Sequence, residues 1–220
     1  MFYDTLENKH GLRHDPFKAL AVPRPIGWIS TRSRDGVVNL APYSFFNAVG
    51  DRPHYVVFGS GGVKDTLRNV ADSGEFVCNL ATYDLRHHMN MTSATVPYGV
   101  DEFALGDLTA APCHMVTAPR VKEAAAAFEC RHHQTIELPG AGKYKGTYHL
   151  VIGLVVGIHI DDRYIKDGLV DVGAMRPIAR LGYMDYAVVT PETIFSLNRP
   201  DVGDDGKVVA PPESWDGKYR

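Results

Sequence analysis

The sequence predicts a mainly β protein with helical insertions, built as a barrel. Three observations carry this. Strand-like segments come first, one or two helical segments interrupt them, and strands return, unlike the regular βαβ alternation of a doubly wound sheet. The chain holds 21 Gly and 14 Pro among 220 residues, so many turns join short elements. Residues 148–160 form one long, β-branched, apolar run suited to a central strand.

Taken in order, residues 1–16 read as an irregular lead. Residues 17–22 are apolar apart from one Lys and look extended. Residues 26–33 (IGWISTRS) are β-branched and aromatic, Arg34-Asp35-Gly36 is a turn, and residues 37–40 resume the extended pattern, which makes a hairpin. Residues 44–49 and 54–58 pair around Gly50-Asp51-Arg52-Pro53, and GSGG at 59–62 reads as a flexible loop. The period then changes. Val63, Leu67, Val70 and Ala71 recur at helical spacing, and Ser73-Gly74 stops the helix.

Residues 75–80 (EFVCNL) predict a buried strand. Residues 83–91 predict a helix with Leu85 and Met89 inward, and residues 92–112 a Gly/Pro-punctuated excursion. Residues 121–128 (VKEAAAAF) read as helix by propensity and as strand by position. Residues 179–181 and 186–189 are short strands. Residues 190–220 have too few apolar side chains for a core of their own. The expected organisation is a lead at 1–16, one domain at 17–189 and a C-terminal arm at 190–220.

Composition excludes several classes. Lys and Arg number 23 against 26 Asp and Glu, a net charge of −3, which argues against nucleic-acid or anionic-membrane partners. The longest apolar run, LVIGLVVGI at 150–158, falls far short of the roughly 20 residues a membrane helix needs. The N-terminus is polar. Cys78, Cys113 and Cys130 are odd in number and lack CxxC spacing, so a reducing, cytoplasmic setting is expected.

Common catalytic motifs fail. The GSGG segment has Lys64 where a dinucleotide fingerprint needs its last Gly, and Gly142-Lys143 is followed by Tyr144, not Ser or Thr. Cys130, His132 and His133 are an incomplete set for zinc, and no metal is expected. No nucleophile elbow is present. The positive signal is different. Ser30, Thr31, Lys64 and Thr66 offer short hydroxyls and one cation, the set a monophosphate wants. Asp65 or Thr66 would cap a helix, placing Lys64 at its positive end. Residues 39–47 offer a mostly apolar stretch whose main chain suits the edge of a flat heteroaromatic ring. By residue type alone, each piece is equally ordinary sheet surface, capping or core; Trp28, Phe45 and Phe46 read first as core.

Together these pieces resemble a known family. RPIGWIST at 24–31, Asp35-Gly36, NLAPYSFFN at 39–47, KDTLRNV at 64–70 and EFVCNL at 75–80 look like the flavin reductase-like family of FMN-binding split β-barrels. That family includes flavoredoxins and the reductase components of two-component monooxygenases. Asp101-Glu102-Phe103, Pro119-Arg120-Val121, Phe128-Glu129-Cys130, Tyr148-His149 and Arg180-Leu181-Gly182-Tyr183 with Tyr186 match in order. The chain departs from the pattern in its four alanines at 124–127, in Tyr183 where a second Gly is common, and in Leu154 where an acidic residue commonly follows the Gly.

The resemblance implies a Greek-key split barrel, homodimeric, with FMN at the dimer interface. It makes residues 124–128 a strand. Trp28, Ser30, Thr31, Asn39, Ala41, Pro42, Tyr43, Ser44, Phe45, Phe46, Lys64, Asp65 and Thr66 become the FMN-binding candidates. His149 becomes the catalytic candidate beside the nicotinamide or acceptor, and Arg180 and Tyr183 would close the substrate pocket. The implied activity is an NAD(P)H-dependent flavin reductase that transfers hydride to flavin N5 and serves a flavin-dependent monooxygenase. Two alternatives share the same cradle: an FMN-dependent reductase of a small nitro or quinone acceptor, and a flavoredoxin-like electron carrier.

Overall fold

Seven antiparallel strands make the central sheet of the computed structural model, which describes residues 1–215 and 217. They are β1 (Gly27–Arg32), β2 (Val38–Tyr43), β3 (Phe46–Asp51), β4 (His54–Gly61), β5 (Glu75–Leu80), β6 (Ala126–Leu138) and β7 (Tyr148–Ile160). Their spatial order is β2-β1-β5-β6-β7-β4-β3. The two edge strands, β2 and β3, are consecutive in the chain, and only Ser44 and Phe45 separate them. Three Cα–Cα steps span at most about 11 Å. The sheet therefore has to curl until its edges nearly meet, and it stays open between them. That is a split barrel.

The curled sheet encloses a core of Ile29, Tyr43, Val56, Phe58, Phe76, Cys78, Cys130 and Val151. Helix α1 (Asp65–Ser73) adds Leu67 and Val70 to it. The period from Val63 predicts this helix, and Gly74 ends it in the left-handed conformation at φ 74°. Gly153 on β7 is required by close approach. A Cβ there would lie 2.2 Å from Cζ of the buried Phe76 ring. A second core covers the outer face of β1, with Trp28 and Leu40 packed against Met89 of α2 (Arg86–Met91) and Phe103 of α3 (Glu102–Leu105). Two short strands, β8 (Ile178–Arg180) and β9 (Tyr186–Val188), pair with Arg24–Pro25 in a small separate sheet.

Three expectations need correction, and the alternative left open at 121–128 is decided for strand. Residues 17–22 are not extended: Phe17–Leu20 is one turn of helix with Phe17 exposed. Residues 59–61 are not a flexible loop but the end of β4, in register with β7 from Gly61 opposite Tyr148 to Gly59 opposite Leu150. Residues 121–128 are not helix, and β6 begins at Ala126 and continues through the polar run to Leu138. Pairing with β5 on one side and β7 on the other overrides the alanines' helical preference. Neither Asp65 nor Thr66 caps α1. Lys64 is the N-cap residue, extended at φ −109° and ψ 175°, and no side chain takes the cap. No helix among the described residues is long and apolar enough to cross a membrane.

Candidate functional site

A cleft of about 450 Å³ opens where the barrel is split. Nine of the residues singled out from the sequence line it: Asn39, Ala41, Pro42, Tyr43, Ser44, Phe45, Lys64, Asp65 and Thr66. The edge strand β2 and the bend after it form one wall. The start of α1 forms one end.

The electrostatics at that end follow from local pairing. Asp65 in the first turn is held by Arg68 at 2.7 Å. Among the described residues Lys64 makes no such pair, and it is exposed. Its ammonium therefore sits unneutralised at the positive end of a nine-residue helix, where the first-turn N–H groups have no intrahelical acceptor. A dianionic group is favoured there by both features.

Beneath the cleft lies a buried polar layer. Asn39 Nδ2 donates to Thr66 Oγ1 at 2.8 Å, and Asn69 Nδ2 donates to Thr31 Oγ1 at 3.1 Å. Burial pushes the Tyr43 phenol up, partly offset by its hydrogen bonds to Thr66 and Ser60. These bonds fix the floor of the cleft before any ligand arrives. Glu102 on α3 adds a buried carboxyl. Its Oε2 accepts from the Leu40 N–H at 3.2 Å, which takes one outward donor of β2. Pro42 has none. Burial raises the Glu102 carboxyl, and the charges of Asp65 and Asp101 push the same way.

The remaining candidates fall outside the lining. Trp28 is fully buried and donates Nε1–H to Thr92. Ser30 is fully buried and donates to the Pro119 carbonyl, while Thr31 is tied to Asn69 as above. Both hydroxyls are committed inside the protein, so they support the floor and do not face a phosphate. Phe46 packs against the main core on the far side of the bend. His149 stands in register with Ser60 and Glu137; its Nδ1 is buried without a hydrogen-bond partner, and the adjacent Tyr148 faces the cleft instead. Arg180 donates to the Tyr186 hydroxyl and the Tyr183 carbonyl. Arg180 is in register with Arg24, whose guanidinium lies 6.0 Å from the Phe45 ring, so it stands one residue behind the cleft rim.

The sequence reading missed the rest of the lining: Gly59, Gly61, Glu102, Tyr148 and the run 92–96. The usable signal was Thr92-Ser93-Ala94-Thr95, a hydroxyl-rich stretch directly after a helix. The Cys130, His132 and His133 set is dispersed. Cys130 is in the core, His132 bonds Thr135 at 2.8 Å, and His133 packs against Tyr55.

Comparison with known proteins agrees with this geometry. Residues 19–179 match the model of the flavin reductase like domain. An uncharacterised protein of Aquifex aeolicus is 39% identical over 175 residues, covering 76% of this chain and 85% of its own. Nitrilotriacetate monooxygenase component B from Bacillus cereus superposes with a TM-score of 0.76 at 31% identity, over 86% of this chain and 95% of that one. The 2-nitrobenzoate 2-nitroreductase of Pseudomonas fluorescens gives 0.73 at 25% identity, over 85% and 92%. Flavoredoxin of Desulfovibrio vulgaris shares the fold, with a TM-score of 0.72 at 22% identity, over 86% and 95%. The split barrel, its motifs and the extent of the match make this chain a member of the flavin reductase-like domain family.

Proposed function

We propose that this protein binds FMN in the cleft and acts as an NAD(P)H:flavin oxidoreductase, as a homodimer in the cytoplasm. The observation that carries the reading is Lys64, a cation with no ion pair among the described residues, at the start of α1 and at one end of a cleft large enough for a cofactor. The donor set fits FMN. Lys64 and the first-turn N–H groups of α1 would hold the phosphate. The β2 wall from Asn39 to Tyr43, with Ser44 and Phe45, would lie along the ring system, and Tyr148 would cover the opposite side. Bound flavin supplies the acceptance and release of hydride or single electrons. The chain's own residues bind, orient and exclude water, so no nucleophile or triad is required of them. Arg180 and Tyr183 would then close the entrance from the small sheet. His149 would act on the reacting ring only from behind Tyr148.

The homodimer reading is supported by an exposed apolar face. Val49 is 59% exposed and Ile158 is 53% exposed, and both line a groove with Ala48 and Val155. The reading as a monooxygenase reductase component rests on the likeness to nitrilotriacetate monooxygenase component B. The likeness to a nitroreductase supports a second one, reduction of a small nitro compound by retained flavin. One experiment separates them: oxidation of NADH and NADPH, measured with and without excess free FMN and with a nitroaromatic acceptor. Turnover that needs free FMN supports the reductase. Turnover with bound flavin and acceptor alone supports the second reading. A colourless protein that cannot be reconstituted with FMN overturns both.

A further inference from the structure

A second cavity, of about 310 Å³, lies outside the cleft, between α2 and the small sheet. Met89, Ile178 and Val188 give it an apolar wall, and the Tyr83 and Tyr186 rings border it. Its volume is at the small end of ligand sites, and a wall of this kind with a few polar groups is what such sites share.

The charge around it is one-sided. Arg86 and Arg176 both lie over the Tyr83 ring, at 3.9 and 4.4 Å from its centroid, and Arg180 lies over Tyr186 at 4.6 Å. Among the described residues one carboxylate pairs with this group: Asp84, bonded to Arg176 at 3.1 Å. Arg180 is committed to Tyr186 and Tyr183. Arg86 lines the cavity and, among the described residues, its guanidinium donates a single hydrogen bond, from Nη1 to the Tyr83 carbonyl at 2.7 Å. A guanidinium has five N–H donors in a planar fork, so most of this one is unspent. Stacking on Tyr83 fixes its orientation in advance, and that lowers the entropy a ligand must overcome. Among the described residues no Asp or Glu lines the cavity.

We propose that this cavity is a second ligand site, for a small aromatic carboxylate. The ring would sit between the tyrosines on the Met89–Ile178–Val188 wall, and the carboxylate would take the free edge of Arg86. A planar fork matches a carboxylate bidentately, which an uncharged amide cannot reproduce. The inference does not depend on FMN occupying the cleft.

Isothermal titration with sodium benzoate and, separately, with benzamide tests it, on the full chain with and without saturating FMN. Benzoate is expected to bind at least tenfold more tightly than benzamide, and FMN is expected to leave that binding unchanged. Arg86→Gln should weaken benzoate roughly ten- to a hundredfold and leave benzamide nearly unaffected, the signature of a lost charge-assisted bond. Val188→Trp fills the cavity from β9, where Val188 shares a face with Tyr186, and should abolish both, while the circular dichroism of each variant reports its fold. Equal affinity for the two probes, displacement of benzoate by FMN, or benzoate binding that survives both substitutions would overturn the proposal.

Discussion

Replacing Lys64 with Ala tests the cofactor site at its most specific point. Lys64 is exposed, has no ion pair among the described residues, and holds its cap position through its main chain alone. Its side chain therefore contributes little to the fold, and the melting temperature should hardly move. Binding is another matter. A hydrogen bond to a charged group is worth about 1.5–3 kcal/mol, and each 1.4 kcal/mol is a factor of ten. The substitution should weaken FMN roughly ten- to a hundredfold. Part of the phosphate affinity should survive, because the first-turn N–H groups remain and a helix end contributes about 0.3–1 kcal/mol. Quenching of flavin fluorescence measures this directly, with riboflavin, which lacks the phosphate, as the internal control. The variant should bind riboflavin as the parent does, and its preference for FMN should shrink. Raising the salt concentration should narrow the gap between parent and variant. An unchanged FMN affinity, or an equal loss for both flavins, would refute the placement of the phosphate at α1.

Three further outcomes follow from the same coordinates. Glu102→Gln keeps an acceptor for Leu40 but removes a charge from the cleft, so FMN should bind more tightly at neutral pH. Because burial raises this carboxyl, its charged form is the disfavoured one in the fold. The affinity ratio of variant to parent should therefore approach one as pH falls and Glu102 takes up its proton, as titrations from pH 5 to 8 will show. Gly153→Ala forces a methyl group into Phe76, which is wedged against Phe58 at 5.4 Å between centroids. Overpacking of this kind costs about 1–3 kcal/mol, a drop of roughly 2–12 °C in thermal melting, and Phe76→Leu in the same chain should recover part of it.

Glu129 is 1% exposed and accepts from the N–H groups of His114, Met115 and Val116 and from His159. Burial alone would raise it, but those donors prevail and hold it below the usual carboxylate range. The sign is that of a depressed acid: its stabilisation is present above the unfolded value near 4.5 and is lost as pH falls through the folded value. Glu129→Gln should cost about 1–3 kcal/mol at pH 7, measured by urea unfolding, with the difference from the parent shrinking below about pH 4.

What the sequence made legible, and what it hid, divides along physical lines. Helix α1 was readable because its apolar residues recur on one face and Gly74 takes a conformation that glycine adopts without strain. Strand β7 was readable to the residue because a β-branched run of that length has few alternatives. Strand β6 was left open because its second half is mostly exposed and polar and it starts on Ala126 and Ala127, so local propensity and position pointed to different structures.

The site divides in the same way. Lys64 could be nominated by its chemistry, and Asn39 and Tyr43 by the family resemblance. Ser30 and Thr31 have equally suitable chemistry, yet both are fully buried. A core covers each face of β1, so the alternation that would normally expose one of two neighbours is absent. The same parity decides β7. Side chains on a strand alternate, so of Tyr148 and His149 only one faces the cleft, and the family resemblance pointed to the imidazole. The register of β7 against Gly61 and Ser60 gives that place to Tyr148. Register depends on where β4 ends, and β4 runs through the glycines that local sequence reads as a loop. Which of residues 148 and 149 reaches the cleft is therefore legible only once β4 is known to extend through residues 59–61.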